Sequence, residues 1–390
     1  MINQAQQVVY RIKRRQYGLS LIELMIAMAL GLLVMAAVIQ LFIGSRQTYS
    51  ATEAVARVQE NGRFGLEFIK PVVREANNSG FCAGNLNVTN HLDIPDSDAM
   101  NLLNTNWTIN GWEYQGSGFR DNGITLTNLT PSNDLSNWNG ASELPDELEG
   151  RIVPGSDVLM IRRLERVADL TGDGVNNPQQ NNIGTNAGSD GTGIPQCTLI
   201  LVTNCASGAD FFQKVNNANS SNLGHGSGCN SPGNQTGNSA PDWSTSYSDD
   251  MQVFIPRQTF FYIGFNADRG EPGLYRLDMS RGTANLVFEE LVEGVETMQV
   301  IYGISYPADW PTPGNGQSVN EWRMADEITN WDLVIAIRIA ILVRSPDGIG
   351  TRGMVRTFNL TGTDVTTPTD ARLREVFTST VALRNRLLVN

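Results

Sequence analysis

Residues 17–42 constrain the fold most strongly, because this stretch is almost entirely apolar yet contains one carboxylate, Glu23. Residues 24–43 include only one strongly polar side chain, Gln40. At about 1.5 Å per residue, a helix of this length spans the ~30 Å hydrocarbon core of a bilayer. A carboxylate at the centre of such a helix costs roughly 2.5–3.5 kcal/mol. We therefore expect Glu23 to have a partner or a specific role.

The flanking residues predict how the segment sits in a membrane. The arm before the apolar run carries basic side chains at Arg11, Lys13, Arg14 and Arg15, and it contains no acid. Basic arms stay on the cytoplasmic side, so we expect the bulk of the chain to lie on the opposite side. An ordinary secretory signal has a small residue after a shorter apolar centre of about 7–15 residues. Here Gly18 precedes the apolar run, which disfavours an ordinary cleaved signal.

The motif "GLSLIEL", residues 18–24, resembles the class III signal of type IV prepilins, in which a basic leader and a glycine precede an apolar helix. In that family a prepilin peptidase cleaves after the glycine and methylates the new N-terminus. The resemblance implies cleavage between Gly18 and Leu19, with Glu23 as the fifth mature residue. The sequence departs from the usual pattern at Leu19, where phenylalanine is common.

The same resemblance implies a role for Glu23. Its carboxylate would pair with the N-terminal ammonium of a neighbouring subunit when the helices assemble. Removing one partner of a buried ion pair costs about 3–5 kcal/mol. The pair would therefore favour the one alignment of neighbouring subunits in which both charges meet. The alternative is a plain signal anchor whose charge has no role.

The apolar pattern continues beyond residue 43 with a helical period. Apolar or small residues recur every three or four positions, namely at Val55, Val58, Gly62, Leu66, Ile69 and Val73. No proline follows Leu19 before Pro71, so nothing obliges the helix to end earlier. Because glycine weakens a helix by roughly 1 kcal/mol relative to alanine, Gly44, Gly62 and Gly65 would allow the helix to bend.

The remainder of the chain has the alternating period of strands. Residues 332–344 alternate strictly, with both faces expected to be covered, and residues 258–279 predict a hairpin around a turn rich in Gly, Pro, Asn and Asp. Further strand candidates are residues 151–164, 198–205, 354–360 and 376–387. The fold class is therefore α+β and pilin-like, with a long N-terminal helix packed on a mainly antiparallel sheet.

The expected organisation has three parts. Residues 1–18 form a cleaved basic leader, and residues 19–75 form the helix, with 19–43 in the membrane. Residues 76–390 form a β-rich head with irregular insertions near 84–150 and 171–245.

A second resemblance refines the family. Residues 291–304, 338–345 and 376–387 resemble the C-terminal half of PilW-like minor pilins, and residues 60–76 resemble the end of their helix. It implies a minor pilin that assembles through its N-terminal helix with other minor pilins to initiate or cap a type IV pilus. The implied partners are prepilin peptidase, minor and major pilins, the assembly platform, the lipid bilayer and a tip-associated adhesin. The implied location is the inner membrane with the head in the periplasm, and then the pilus, at its tip, on the cell surface.

Two other functions fit the sequence. A minor pseudopilin of a type II secretion system uses the same signal and the same kind of fold. A surface adhesin or binding module on a helical anchor would instead use the insertions near 84–150 and 206–245 as its contact surface.

The segment 216–239 has an unusual composition, since most of its side chains are Asn, Gly or Ser. So little apolar surface does not offset the entropy of ordering the chain. We expect long surface loops here, either disordered without function or forming a partner-binding insertion.

Charge and motifs argue against two classes of function. The net charge is −12 and becomes more negative without the basic leader, which disfavours nucleic-acid binding by the head. The sequence contains no HExxH motif and no Walker-type GKS or GKT, and it has no complete nucleophile elbow. We therefore do not expect an enzyme.

The four cysteines, Cys82, Cys197, Cys205 and Cys229, lie in the part expected outside the cytoplasm, where two disulfides are the natural count. An extended strand would separate Cys197 from Cys205 by about 26 Å, which disfavours that bridge and the complementary Cys82–Cys229 bridge. We prefer Cys205–Cys229 with Cys82–Cys197, and the crossed pairing remains open.

A zinc site is disfavoured, because there is no CxxC motif and the chain has only two histidines, His91 and His225. A histidine in a Gly/Ser-rich loop is expected to be solvated.

The stretch "DLTGDGVNN", residues 169–177, resembles the start of an EF-hand or dockerin calcium loop. The ligand positions would be filled by Asp169, Thr171, Asp173, the Val175 carbonyl and Asn177. The pattern fails at position 12, where Gln180 replaces the bidentate glutamate. The stretch is either a weak calcium loop or a plain turn, and no other cofactor is expected.

Overall fold

The computed structural model describes residues 18, 20–76, 87–95, 109–119, 121, 123–127, 129–140, 142–173, 181–230, 232–237, 240–279, 286–306, 318–349 and 353–383. The chain divides into two compact units, residues 1–53 and 54–390.

The described residues form one α-helix, α1, Leu21–Arg74, and eighteen strands. The strands are β1 Val88–Asn90, β2 Ile109–Tyr114, β3 Ile124–Thr125, β4 Trp138–Gly140, β5 Val158–Arg166, β6 Asn182–Gly184, β7 Leu199–Thr203, β8 Ala209–Gln213, β9 Asn222–Gly224, β10 Gln252–Asn266, β11 Glu271–Asp278, β12 Val287–Glu293, β13 Val295–Ile304, β14 Glu321–Arg323, β15 Val334–Gly348, β16 Thr357–Leu360, β17 Thr363–Thr366 and β18 Arg372–Ala382. Single 3₁₀ turns occur at Leu135–Asn137, Asp146–Leu148, Gly188–Asp190, Ala325–Glu327 and Trp331–Leu333.

In the first unit, residues 24–43 of α1 are apolar on every side except at Gln40, and they are exposed. Among the described residues it is the one helix whose length and mean hydropathy, 2.6, suit a membrane span. A helix satisfies its own backbone hydrogen bonds and can therefore enter hydrocarbon.

In the second unit, α1 is amphipathic, as the spacing of its apolar residues predicts. Val58, Ile69 and Val73 are fully buried and Leu66 nearly so, each contributing about 1.5–3 kcal/mol. They join a main core formed with β5, β10, β11, β13, β15 and β18. Val55 is the exception, because it is 39% exposed.

The helix passes through Pro71 and ends at Arg74. Proline lacks the N–H that would bond the carbonyl four residues earlier, but it lies only one turn from the end. The next turn begins at Glu75, whose N–H donates to the Pro71 carbonyl.

Two glycines of α1 provide close contact with the sheet. A Cβ built on Gly62 would lie 2.2 Å from the ring of Phe377 on β18, and one on Gly65 would lie 2.9 Å from Ile341 on β15. Both glycines are buried. Gly62 and Gly65 therefore let the helix approach the strands, a role that the sequence did not indicate.

The strands form four sheets. The largest has nine strands, in the order β1-β8-β7-β10-β5-β2-β4, with β11 paired to β10 and β12 paired to β11. The second has the order β14-β13-β15-β18, and smaller sheets contain β16-β17-β3 and β6-β9. Most pairs are antiparallel, but β1·β8 and β3·β17 are parallel, so the head is mixed rather than purely antiparallel.

The strongest strand predictions are confirmed. β10 and β11 form the expected hairpin, with Asn266 opposite Glu271 at its turn. β15 pairs with β13 on one side and β18 on the other, and it is buried on both faces over most of its length. The other four candidate segments contain β5, β7, β16 and β18, each with shifted or shorter bounds.

The two insertions are more ordered than expected. The first contains β1 to β4, and the second contains β6 to β9. Residues 87–95 and 181–255, which we call the side lobe, build two further apolar clusters on β7, β8 and the start of β10.

The glycine contacts predict a position-specific effect of adding a side chain. Gly62→Val should lower the free energy of unfolding of the full chain in detergent by about 3 kcal/mol, because the ring of Phe377 occupies the space. Gly44→Val is the matched control, since no atom lies within 4 Å of its Cβ position. Thermal unfolding followed by circular dichroism measures both variants, and equal melting temperatures would contradict this packing.

Candidate functional site

The start of α1 holds the expected processing and assembly residues. Gly18 is exposed, and no atom lies within 4 Å of its Cβ position. Leu19 lies outside the described residues. Glu23 occupies the third position of the helix and is exposed, so its carboxylate is accessible to a partner.

Ser20 and Glu23 form a reciprocal cap at this end of the helix. The backbone N–H of Glu23 donates to Ser20 Oγ at 3.2 Å, and the Ser20 N–H donates to Glu23 Oε2 at 3.4 Å. This is a capping box, which satisfies two N–H groups that the first turn leaves unpaired. Sequence reasoning missed it, although the pattern of serine followed by glutamate three positions later signals it.

The exposed apolar surface of residues 21–43 is far larger than the scattered apolar side chains of an ordinary soluble surface. Contiguous patches of this kind mark contacts with lipid or with other apolar helices. Glu23 thus places a carboxylate at the N-terminal end of an exposed apolar helix.

The disulfide pairing corrects the preferred prediction. Cys197 bonds to Cys229, with Cα atoms 5.6 Å apart. The Cys205–Cys229 and Cys82–Cys197 pairing is therefore wrong, whereas the prediction against Cys197–Cys205 is confirmed. The reason is that β7 turns back into β8, which returns the chain toward Cys197.

Cys205 is also disulfide-bonded. The one cysteine that the sequence leaves for it is Cys82, which lies outside the described residues. The crossed pairing that the sequence left open is therefore favoured.

A buried lysine orders the Asn/Gly/Ser-rich segment. The Nζ of Lys214 donates to the backbone carbonyls of Ile194, Asn216 and Asn217 at 3.1, 2.6 and 2.8 Å. The side chain is fully buried, and burial lowers its pKa to about 8. The cation thus satisfies carbonyls at the start of a segment predicted to be loose surface loops.

The two histidines are buried, which corrects the expectation of solvated side chains. His91 is 0% and His225 2% exposed, and their ring centroids lie 4.3 Å apart. Trp243 packs against both rings at 4.8 and 4.4 Å. Burial, together with the neighbouring His91, lowers the pKa of His225 to about 4. The fold brings the rings together from distant positions in the chain, which no sequence spacing indicates.

His91 belongs to a polar network around Asp210. Its Nε2 lies 2.7 Å from Asp210 Oδ1, and Ser244 Oγ donates to Asp210 Oδ2 at 2.6 Å. The hydroxyl of Tyr247 donates to the same carboxylate. The histidine and the serine therefore both contact the carboxylate, unlike a nucleophilic triad, in which the histidine lies between the two.

Three of the five candidate calcium ligands, Asp169, Thr171 and Asp173, lie within the described residues. Among the described residues, Asp169 has a left-handed φ of 58° and its carbonyl accepts from Asn186 Nδ2 at 3.0 Å, while the Thr171 N–H donates to Asn186 Oδ1. The N–H of Asp173 bonds to the Gly184 carbonyl. Val175 and Asn177 lie outside the described residues. No cluster of three or more metal-binding side chains occurs within the described ranges.

A pair of carboxyl groups is buried where the two larger sheets meet. Glu113 on β2 and Asp157 are 4% and 2% exposed, and Ser117 Oγ lies 2.8 Å from Glu113 Oε1 and 3.4 Å from Asp157 Oδ1. Asp157 also accepts the N–H groups of Tyr114 and Val300 at 3.2 and 2.8 Å. Burial raises the pKa of both carboxyls, and the charge of Asp157 raises the pKa of Glu113 further.

A compensated ionic network lies at one edge of the four-stranded sheet. Glu296 on β13 is fully buried and accepts two hydrogen bonds from Arg374 on β18, at 2.6 and 2.9 Å. Arg344 on β15 donates to the same carboxylate at 3.0 Å. One buried anion thus joins three neighbouring strands.

Outer acids complete the network. Glu271 on β11 accepts from Arg344 at 2.5 and 3.0 Å and pairs with Arg372 at 2.9 Å. Asp370 accepts two bonds from Arg374, and these bonds lower the pKa of Asp370. Three arginines therefore face three acids, so each buried charge has opposite charges beside it.

Two parts of the chain match known families. Residues 260–385 match the family model described as Type IV Pilus-assembly protein W, PilW, and residues 13–39 match the Prokaryotic N-terminal methylation motif. The first match contains the whole ionic network, and the second contains Gly18, Ser20 and Glu23. No curated protein and no solved structure gives a significant match to the chain.

The raised pKa of Glu113 predicts a pH-dependent effect. An unfolded glutamate titrates near pH 4.5, so the folded protein loses stability as pH rises above that value, by up to about 1.4 kcal/mol per pH unit. Glu113→Gln removes this titration and should stabilise the head increasingly from pH 5 to pH 8. Exposed Glu143→Gln is the control, and urea unfolding across pH measures the difference. Parallel profiles for wild type and Glu113→Gln would refute the buried, protonated acid.

Proposed function

We propose that this PilW-like type IV pilin is a minor pilin that joins other minor pilins through its N-terminal helix to initiate or cap the filament. The observation that carries the proposal is the combination in one chain of an exposed apolar helix, a glutamate at its start and a head whose C-terminal part matches PilW. The head is largely β.

Membrane insertion would precede assembly. Residues 21–43, at about 1.5 Å per residue, extend over about 35 Å, enough for the hydrocarbon core. The basic residues before Gly18 would remain in the cytoplasm and the head would fold in the periplasm. That location is consistent with the disulfides, which persist in oxidising compartments.

Processing would then create the assembly site. Prepilin peptidase would cleave between Gly18 and Leu19 and methylate the new amine. The capping box gives Glu23 a local partner, the Ser20 N–H, before a subunit is recruited. Exchange of this weak bond for the ammonium of a neighbouring pilin would place opposite charges together in an apolar setting, where pairing offsets desolvation.

The PilW match favours the pilus over the type II secretion alternative. The other partners in this proposal are major pilins, the assembly platform and a tip-associated adhesin. Deleting the gene separates the possibilities: lost piliation supports the minor pilin, lost exoprotein secretion supports a pseudopilin, and unchanged filaments with poor attachment support an adhesin.

Calcium binding remains a secondary proposal for Asp169, Thr171, Asp173, Val175 and Asn177. Calorimetric titration of the full chain with calcium chloride should release or absorb heat and raise the melting temperature, because oxygen-rich loops bind this ion. Asp173→Asn should weaken both effects, and exposed Asp190→Asn should not. No heat and no shift in melting for the wild type would reject the site.

Glu23 provides the sharpest test of assembly. Glu23→Ala should still enter the membrane and be cleaved, but its incorporation into filaments should fall at least tenfold, since losing one partner of a buried pair costs about 3–5 kcal/mol. Glu60→Ala, an exposed position on the same helix, is the control.

Mass spectrometry of the assembled material should show a methylated N-terminus at Leu19. Normal incorporation of Glu23→Ala would remove the role of the carboxylate, and a chain still beginning at Met1 in functional fibres would refute the processing step.

A further inference from the structure

We propose that His91 and His225 form an acid-sensitive latch that holds residues 87–95, 222–230 and 232–235 on the side lobe, and that protonation of His225 opens it. This device is independent of the assembly role proposed above, because none of its residues belongs to α1 or to the ionic network.

The latch joins two short segments that are also fixed at other points, by the pairing of β1 with β8 and by the Cys197–Cys229 disulfide. Next to the short strand β1, the His91 N–H donates to the Phe211 carbonyl at 2.9 Å, and the His91 carbonyl accepts the Gln235 N–H at 2.7 Å. His225 follows β9, which is equally short, and its N–H donates to the Asn181 carbonyl. The two rings therefore connect short segments by their mutual packing.

The surroundings of the His91 and His225 rings are apolar except on the side of Asp210. Trp243 packs against both imidazoles and Phe212 packs against Trp243 with ring centroids 5.0 Å apart. The Nδ1 atoms of His91 and His225 are buried, and neither has a hydrogen-bond partner within the part of the chain that the structure describes. Unpaired buried polar atoms are tolerated at a cost, and that cost rises sharply if the ring carries a charge.

The carboxylate of Asp210 can balance the charge of one protonated imidazole ring but not of two. Asp210 lies 2.7 Å from His91 Nε2, so a charged His91 would have a direct counter-ion. Its other contacts are already taken by the N–H and hydroxyl of Ser244 and the hydroxyl of Tyr247. A second proton, on His225, would place two cationic rings with centroids 4.3 Å apart, with no second anion among the contacts described.

The titratable groups around His91 and His225 come from each of the elements that pack on the two rings. Asp210 projects from β8, His91 follows β1, and Tyr247 precedes β10. Lys214, just after β8, is a further buried cation, held by backbone carbonyls. Burial and His91 lower the pKa of His225, with Asp210 opposing them. The closed form thus binds fewer protons than the open form, and acid favours opening.

The expected size of the effect follows from the pKa of His225 in the closed form and its pKa in the open form. With a pKa of about 4 when closed and about 6.5 when open, the ratio of open to closed molecules should rise about 30-fold between pH 7.5 and pH 5. The main core contains no residue of the latch, so it should not respond.

Hydrogen exchange of the full chain in detergent, corrected for the intrinsic pH dependence of exchange, tests the proposal. Peptides covering residues 87–95 and 222–235 should lose protection about 30-fold at pH 5, while peptides from β13 and β15 keep theirs. Unchanged protection of the latch segments at pH 5, or equal loosening of all peptides, would overturn the proposal.

A variant that cannot titrate separates the latch from general acid sensitivity. His225→Phe keeps an aromatic ring beside Trp243, so protection at pH 5 should remain within about threefold of its value at pH 7.5. Glu113→Gln, which alters a buried acid outside the side lobe, is the control and should open like the wild type.

If His225→Phe does not fold at pH 7.5, His225→Gln replaces it, and if neither folds, the wild-type exchange profile alone decides. Acid opening that persists unchanged in a folded His225 variant would assign the effect to other groups and reject the latch.

Discussion

The close packing of α1 residues 54–74 against the strands is the constraint on which the rest of the head depends. Gly62 and Gly65 remove the side chains that would keep the helix away from Phe377 and Ile341. Val58, Ile69 and Val73 then fill the interface completely. Because β5, β10 and β11 of the nine-stranded sheet share this core with β13 and β15, one apolar interior positions both larger sheets.

Charge is handled in two different ways around this interior. At Glu296 the fold surrounds a buried anion with arginines that are themselves paired, so desolvation is offset locally. At Glu113 and Asp157 no cation is among the contacts of the described residues, and the fold instead favours protonated carboxyl groups. The first arrangement balances charge with opposite charge, whereas the second ties the junction of the two sheets to proton concentration.

The sequence predicted the parts of the fold that have a regular period or a local motif. Helical and alternating repeats of apolar side chains predicted the helix, the β10–β11 hairpin and β15, which is buried on both faces. Gly18 and Glu23 indicated where α1 starts. Arg344 was placed on the correct strand, but its ionic partner on β13 is set by strand order, which alternation does not encode.

The errors have a common physical cause. Composition indicated loose loops at residues 216–239, but a disulfide and two packed histidines order much of this segment through contacts between residues distant in sequence. The distance argument against Cys197–Cys205 held, but it could not choose between the two remaining pairings, because that choice depends on how β8 returns beside β7. Such contacts leave no periodic signal.

The Cys197–Cys229 bond also has a mechanical consequence. It spans 32 positions while holding its Cα atoms 5.6 Å apart, whereas that length of chain, drawn out, would extend about 110 Å. When the polypeptide is pulled from points on either side of this bond, tension crosses through the sulfur atoms. Strand β8, Lys214 and His225 then lie on a slack covalent loop, shielded from the load that the rest of the backbone must bear.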